Sequence, residues 1–280
     1  MHAILPAMVT LPIVSLRYRV GADPEAWVIP EGPVPESTAH DAALVRCFSL
    51  LAAWAARTGN GARVARNLAV RWLPQHPRTG IDPDVCVLLP GPADFDELSS
   101  LRLWETDRQP PLLAIEVVSE SHPYKDYVSI QERYAAMGVP ELLIYDPLLV
   151  GPKALGGPVA LQLWRREATG LFERVHFGSE PVYSVVLDAW FIADGRSMHI
   201  ADDRAGARRW LTEAEELALR LGESRADAER AKVDAEHAKA DAERAKADAE
   251  RAKASALREE QLRFALEQKI RELEAERSRR

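Results

Sequence analysis

The chain has 280 residues, 47% of them hydrophobic, which is enough to bury one sizeable core and leave chain over for an appendage. Its net charge is −7 at a sequence pI near 5.6, which excludes a protein whose whole surface is basic enough to coat nucleic acid. From Glu213 onward there are 16 Lys/Arg against 18 Asp/Glu, a balance of −2, and the residues before it carry the other −5, so any groove for nucleic acid has to be a local patch.

Residues 1–36 read as an N-terminal extension. An apolar stretch from Ala3 to Val14 has no Lys or Arg ahead of it and is interrupted by Pro6 and Pro12, so it is not expected to act as a signal peptide. No apolar run approaches the ~20 residues needed to cross a bilayer. Cys47 and Cys86 sit at neither disulfide-framework nor metal-site spacing and read as buried small hydrophobes, so a cytoplasmic location is expected.

Ser37 is placed to cap a helix running through Ala43, Val45, Leu50 and Leu51 to Arg57, with Gly59 just past its end. Ala62 to Leu73 alternates like a strand, and Asp84 to Leu89 is a short apolar strand stopped by Pro90 and Gly91. Leu112 to Val118, L-L-A-I-E-V-V, is a third strand with a carboxylate inside it. A helix from about Asp126 to Met137 ends at Gly138, and Glu141 to Asp146 supplies another strand. The order α, β, β, β, α, β predicts an α/β core within a domain spanning 37–200. Val159 to Arg165, Phe172 to Phe177 and Val185 to Ile192 read as added strands, the first two joined by a turn at Thr169 and Gly170. A linker over 201–212 then leads to an arm over 213–280.

The arm carries a seven-residue repeat, R-A-D-A-E-R-A at Arg225, K-V-D-A-E-H-A at Lys232, and K-A-D-A-E-R-A at Lys239 and Lys246. With Ala214 at heptad position a and Leu217 at d, apolar or small residues hold that phase to Ala256 and again from Leu266 to Leu273, broken at Glu259 and Arg263. Alanine and pairs such as Lys239 with Glu243 favour helix. Whether this helix self-associates as a coiled-coil homodimer or stays solvated is open at this level, because an alanine seam buries little area.

The chemistry rests on Asp84 and Glu116. A carboxylate inside an apolar strand costs several kcal/mol unless paired, protonated or bound to a cation. Two on neighbouring strands suit a hard ion such as Mg²⁺ or Mn²⁺, which can activate water and stabilise a leaving oxygen in phosphodiester cleavage. The competing reading gives Glu116 an arginine partner, Arg66 or Arg71.

P-D-V-C-V at Pro83, A-I-E-V-V-S-E-S at Ala114, K-D-Y at Lys125, R-Y-A-A-M-G-V-P-E at Arg133 and I-Y-D-P at Ile144 form an ordered set. From His40 to Pro147 this set resembles the Uma2 family of restriction endonucleases, placed in the metal-dependent PD-(D/E)XK nuclease superfamily. The resemblance implies a restriction-endonuclease-like αβββαβ core with Asp84 and Glu116 as metal ligands, Mg²⁺ as cofactor and DNA as substrate. It also implies a lysine. The superfamily position, two residues after the glutamate, is Val118 here, and the family's usual alternative is Ile130. Lys125, beside Asp126, is the remaining candidate, against a plain surface role.

His40 matches a family histidine and could orient a water or phosphate, or serve as a hydrogen-bonded structural residue. Asp126 could meet the metal through water or cap its helix, and Tyr134 reads as a packed side chain with a satisfied hydroxyl. Ser119 and Ser121 have no triad around them. Most tryptophans read as core, and Trp104 as the exposed one. Two functions follow: a Mg²⁺-dependent DNA endonuclease, or an inactive nuclease-fold protein working through its arm.

Overall fold

The computed structural model describes residues 15–17, 27–29 and 37–277, so most of the expected extension over 1–36, including the Ala3–Val14 stretch, lies outside the described residues. The chain divides into two compact units, Met1–Glu216 and Leu217–Arg280. In chain order the elements are β1 (Ser15–Arg17), α1 (Thr38–Thr58), β2 (Arg63–Arg66), β3 (Ala69–Arg71), β4 (Gly80–Ile81), β5 (Val85–Leu88), β6 (Ser100–Arg102), β7 (Leu113–Val117), α2 (Ile130–Met137) and β8 (Glu141–Tyr145). They continue with β9 (Leu161–Arg166), β10 (Leu171–Gly178), β11 (Val182–Ser184), β12 (Ala189–Asp194), β13 (Ser197–Ala201) and α3 (Glu213–Arg277). No described helix is long and apolar enough to cross a membrane.

The sheet that organises the first unit has seven strands in the order β1-β10-β9-β8-β7-β5-β2. Only β7 and β8 run parallel, as a strand–helix–strand crossover through α2 requires. Both helices stop where their terminal residues dictate. Ser37 Oγ accepts from the His40 amide at 3.3 Å at the start of α1, and Gly59 and Gly138 take the left-handed conformation past α1 and α2, with φ of 59° and 97°.

Alternation along the strands sends side chains to two cores. Leu113, Ile115 and Val117 of β7 pack with Leu44, Cys47, Leu50 and Leu51 of α1 and with Phe191, Met198 and Ile200 of the β11-β12-β13 sheet. On the other face, Ala114 joins Ile130 and Tyr134, together with Val70, Ile81 and Leu101 of a small β4-β3-β6 sheet. Val45, which sequence placed in the apolar row of α1, faces solvent.

Two expected strands are broken. Residues 62–73 do not form one strand: Asn67 adopts a left-handed conformation (φ 50°), so β2 joins the large sheet and β3 the small one. Of the expected strand over 185–192, residues 185–188 are a turn with Asp188 at φ 53° that links β11 to β12, and only 189–192 are strand, the start of β12. The sequence between Ala201 and Thr212 is a hydrogen-bonded excursion, in which Asp203 accepts from the Ala207 and Arg208 amides and Trp210 stacks on Trp54 at 5.6 Å. Thr212 and Glu215 then form a reciprocal cap at the start of α3, the Glu215 amide donating to Thr212 Oγ1 and the Thr212 amide to Glu215 Oε2.

Glu141 is fully buried in β8 and fully engaged: Arg165 Nε donates to it at 2.7 Å, Ser184 Oγ at 2.6 Å and the Val185 amide at 3.1 Å. It ties the large sheet to β11. Removing it leaves the Arg165 guanidinium and two donors without their acceptor, so Glu141→Ala is expected to cost about 3–5 kcal/mol in urea unfolding; a loss below about 1 kcal/mol would show that this network is not structural.

Candidate active site

The pairing of β5 with β7 builds the site. Val85 lies opposite Ile115 in an antiparallel register, which sets Asp84, one residue before β5, across from Glu116. Asp84 Oδ2 accepts from the Val117 amide at 2.7 Å, so its carboxylate is fixed at the end of β7. Glu116 is 1% exposed and its side chain lies on the α2 side, where Tyr134 donates a hydrogen bond to Oε1. Neither arginine proposed from sequence pairs with it: Arg66 bonds Asp41 at 2.8 Å and Arg71 bonds the Pro77 carbonyl.

Between β7 and α2 the chain makes a π-helical turn over Lys125–Ser129, where sequence predicts ordinary helix. Adjacent side chains of an α-helix diverge by about 100°, yet Asp126 and Tyr127 are both buried. The wider turn accommodates both. The Tyr127 hydroxyl reaches Asp146 Oδ2 at 3.1 Å and the backbone of Val159, and Gln131 Nε2 donates to the Asp126 carbonyl left by the wide turn. Gly151 is required beside this ring, because a Cβ there would fall 2.2 Å from the Tyr127 hydroxyl. Asp126 is therefore no helix cap. Its side chain is buried, and its Oδ1 has no hydrogen-bond partner.

Lys125, half-exposed at the start of the turn, places Nζ 3.9 Å from Glu116 Oε2 and 4.0 Å from Asp126 Oδ1. The two positions where the resemblance seeks a lysine, Val118 and Ile130, are filled by fully buried apolar side chains in the α2-side core. His40 enters from α1. With its proton on Nε2 it donates to the Val117 carbonyl at 2.8 Å, and the same nitrogen lies 3.6 Å from Asp84 Oδ2. All six residues singled out by sequence thus surround the end of β7. Sequence reasoning missed Asp82 and Arg133, whose charges act on Lys125 and Glu116 from the rim; the D-P-D run at Asp82 and the Arg133-Tyr134 pair were the available signals.

Packing this many carboxylates out of water shifts their titration. Burial, reinforced by the charge of Asp84, pushes Glu116 well above the usual carboxylate range, against the opposing pull of Lys125. Burial likewise pushes Asp126 up to about 7, with Lys125 opposing and Asp84 adding. The negative charge of Glu116 raises Lys125, which keeps it an ammonium, and burial followed by the same charge raises Tyr134, which keeps the phenol able to donate. Among the described residues, no three His, Cys, Asp or Glu side chains form a complete metal-binding set. The donors fit an ion that is content with two carboxylates and keeps water for the rest, as Mg²⁺ does, and not one that needs a closed cage of protein ligands. The unpartnered Asp126 oxygen and the mutual repulsion of the carboxylates are what such an ion would relieve.

The family model for Uma2, described as "putative restriction endonuclease", matches residues 27–173. The chain belongs to the Uma2 family. Among solved structures it is similar to a putative nuclease belonging to DUF820 from Anabaena variabilis ATCC 29413, at 15% identity over 54% of this chain and 74% of that one, with a TM-score of 0.35. No curated protein matches the chain. The Uma2 match takes in every candidate site residue and ends before α3. The globular unit is thus a restriction-endonuclease-like αβββαβ core of the Uma2 type, with β strands added after β8 and a long helix following.

The raised carboxyls give a stability signature with a definite sign. Glu116 and Asp126 hold protons more tightly folded than unfolded, so their contribution is complete below the unfolded value near ~4 and is lost as pH rises through the folded values, about 7 for Asp126. Metal-free protein in chelator is expected to melt at a higher temperature near about pH 5 than near about pH 8, and Asp126→Asn is expected to narrow that gap. An identical gap in the variant would show that Asp126 is not strained in the folded chain.

Proposed function

We propose that this protein is a Mg²⁺-dependent endonuclease, also served by Mn²⁺, that hydrolyses DNA phosphodiester bonds. The observation that carries the reading is the placing of Asp84 across the β5–β7 pairing from buried Glu116, with Lys125 Nζ 3.9 Å from Glu116 and 4.0 Å from Asp126, in a core of the restriction-endonuclease type. Asp84 and Glu116 would hold the ion, and Asp126 would reach it through water. When bound, Mg²⁺ would lower the pKa of a water and neutralise charge gathering on the phosphate.

The protein's own groups have distinct tasks in this reading. Lys125, an ammonium at working pH, meets the negative charge that grows on the phosphate. Tyr134 holds Glu116 in one rotamer by donating to Oε1, leaving Oε2 toward Lys125. His40 positions the end of β7 by its bond to the Val117 carbonyl and lies beside Asp84. The catalytic domain is taken as 37–200, with 201–212 as the connection and 213–280 as the arm, in a cytoplasm that keeps the buried thiols of Cys47 and Cys86 reduced.

One observation favours a second reading. Val118 and Ile130 are sealed in the core, so neither site can take over from Lys125, and a chain in which Lys125 is only a rim residue would be an inactive nuclease fold acting through its arm. Supercoiled plasmid separates the two. With Mg²⁺ or Mn²⁺ the protein is expected to nick it, with nicking abolished in Glu116→Ala and Asp84→Asn and slowed about 10²–10³-fold in Lys125→Met. Absence of metal-dependent cleavage across DNA and RNA substrates would leave the inactive reading standing.

A further inference from the structure

We infer that the arm is a parallel, in-register coiled-coil dimerisation element whose partner is a second copy of this chain. α3 runs unbroken from Glu213 to Arg277, about 98 Å at 1.5 Å per residue, through Gly222 and through every alanine of the repeat. From Leu217 on, its described side chains are exposed, including the seam residues Leu221 at 51%, Leu266 at 63% and Ile270 at 53%. The apolar seam is thus clustered at the two ends and thinned to alanine between them.

Only one pair of rows can meet a neighbouring helix. Alanines also recur at Ala240, Ala247 and Ala254, but the residues three and four positions after each of the first two are charged, so that row makes no stripe. The a and d rows alternate at three and four residues through Leu221, Ser224, Ala228, Ala231, Ala235 and Ala238, and so form a continuous stripe of apolar or small residues. The charges flanking it are sorted by sign. The row before the seam, position g, reads Asp227, Asp234, Asp241 and Asp248; the row after it, position e, reads Arg225, Lys232, Lys239, Lys246 and Lys253.

This sorting decides both partner and orientation. In a parallel pair each g residue meets the e residue five positions later on the other helix, so Asp227 faces the second copy's Lys232, Asp234 its Lys239, Asp241 its Lys246 and Asp248 its Lys253. The one like-charged pairing is Arg220 with Arg225. In an antiparallel pair g meets g and e meets e, which sets aspartate against aspartate and lysine against lysine along the whole repeat. Within a single helix the aspartates turn instead to arginines three residues on, as Asp241 to Arg244 at 3.6 Å and Asp248 to Arg251 at 3.4 Å, and Lys232, Lys239 and Lys246 take part in none of these pairs. Register follows from the ends: a shift of one heptad preserves the charge pairing but draws Leu217 and Leu221, and Leu266, Ile270 and Leu273, away from their counterparts. Arg263 and Glu259 interrupt the seam beside the C-terminal cluster, where their long stems can carry the charge outward.

The full chain tests this. Sedimentation equilibrium at micromolar concentration is expected to give about twice the 31.1 kDa chain mass. Ala256→Cys, at an a position, is expected to form a disulfide with its own counterpart under mild oxidation, since Cys47 and Cys86 are buried. The quadruple variant Lys232→Glu, Lys239→Glu, Lys246→Glu and Lys253→Glu, which makes both flanking rows acidic, is expected to sediment as a monomer while the globular unit melts unchanged. A monomeric mass for the unaltered chain, a dimer in which Ala256→Cys does not crosslink, or a quadruple variant that remains dimeric would each overturn the inference.

Discussion

Antiparallel pairing of β5 with β7 brings two carboxylates together where water is scarce, and most of what surrounds them answers that constraint. Asp84 is secured by the Val117 amide and Glu116 by the Tyr134 hydroxyl, yet neither has a cation within direct hydrogen-bonding distance; Lys125 stands off at 3.9 Å. Glu141, the first residue of β8, shows what a structural buried carboxylate looks like in the same sheet: an arginine, a hydroxyl and an amide all donate to it. The contrast between the two glutamates separates a group that completes the fold from one that the fold holds at a cost. Such a cost persists only where the surrounding structure over-determines the arrangement.

That over-determination comes from both faces of the sheet. α1 delivers His40 to the carbonyl of Val117, whose own amide holds Asp84, so one residue of β7 is pinned from both sides. α2 delivers Tyr134, and the π-turn ahead of it turns Asp126 inward while leaving Lys125 at the rim. Tyr127 anchors this turn against Asp146 and the chain at Val159. A π-turn gives up regular helical hydrogen bonding for the placement of particular side chains, which is why such turns gather at functional sites.

Much of this arrangement was legible in sequence because local signals and tertiary structure agree. Ser37, Gly59 and Gly138 mark helix ends by their own chemistry, and an isolated glutamate in L-L-A-I-E-V-V announces a buried charge. The breaks at Asn67 and Asp188 were not legible, since a left-handed residue inside an alternating pattern leaves the periodicity intact on either side. β4 and β6, of two and three residues, are too short to stand out, and each depends on a neighbour for its pairing. The π-turn was hidden for a related reason: Lys125 to Ser129 satisfies a helical pattern, and only the simultaneous burial of Asp126 and Tyr127 shows that the pattern is widened. Arg133 and Asp82 escaped notice because their relevance lies in the charges they face, which sequence spacing does not reveal.

The assigned chemistry requires that the carboxylates of Asp84 and Glu116 hold a divalent cation, and calorimetric titration of the metal-free protein with Mn²⁺ or Mg²⁺ measures this without reference to any substrate. Saturable binding is expected that disappears in Glu116→Gln and survives in Glu141→Gln. Absence of binding, or binding that is unchanged in Glu116→Gln, would contradict that chemistry.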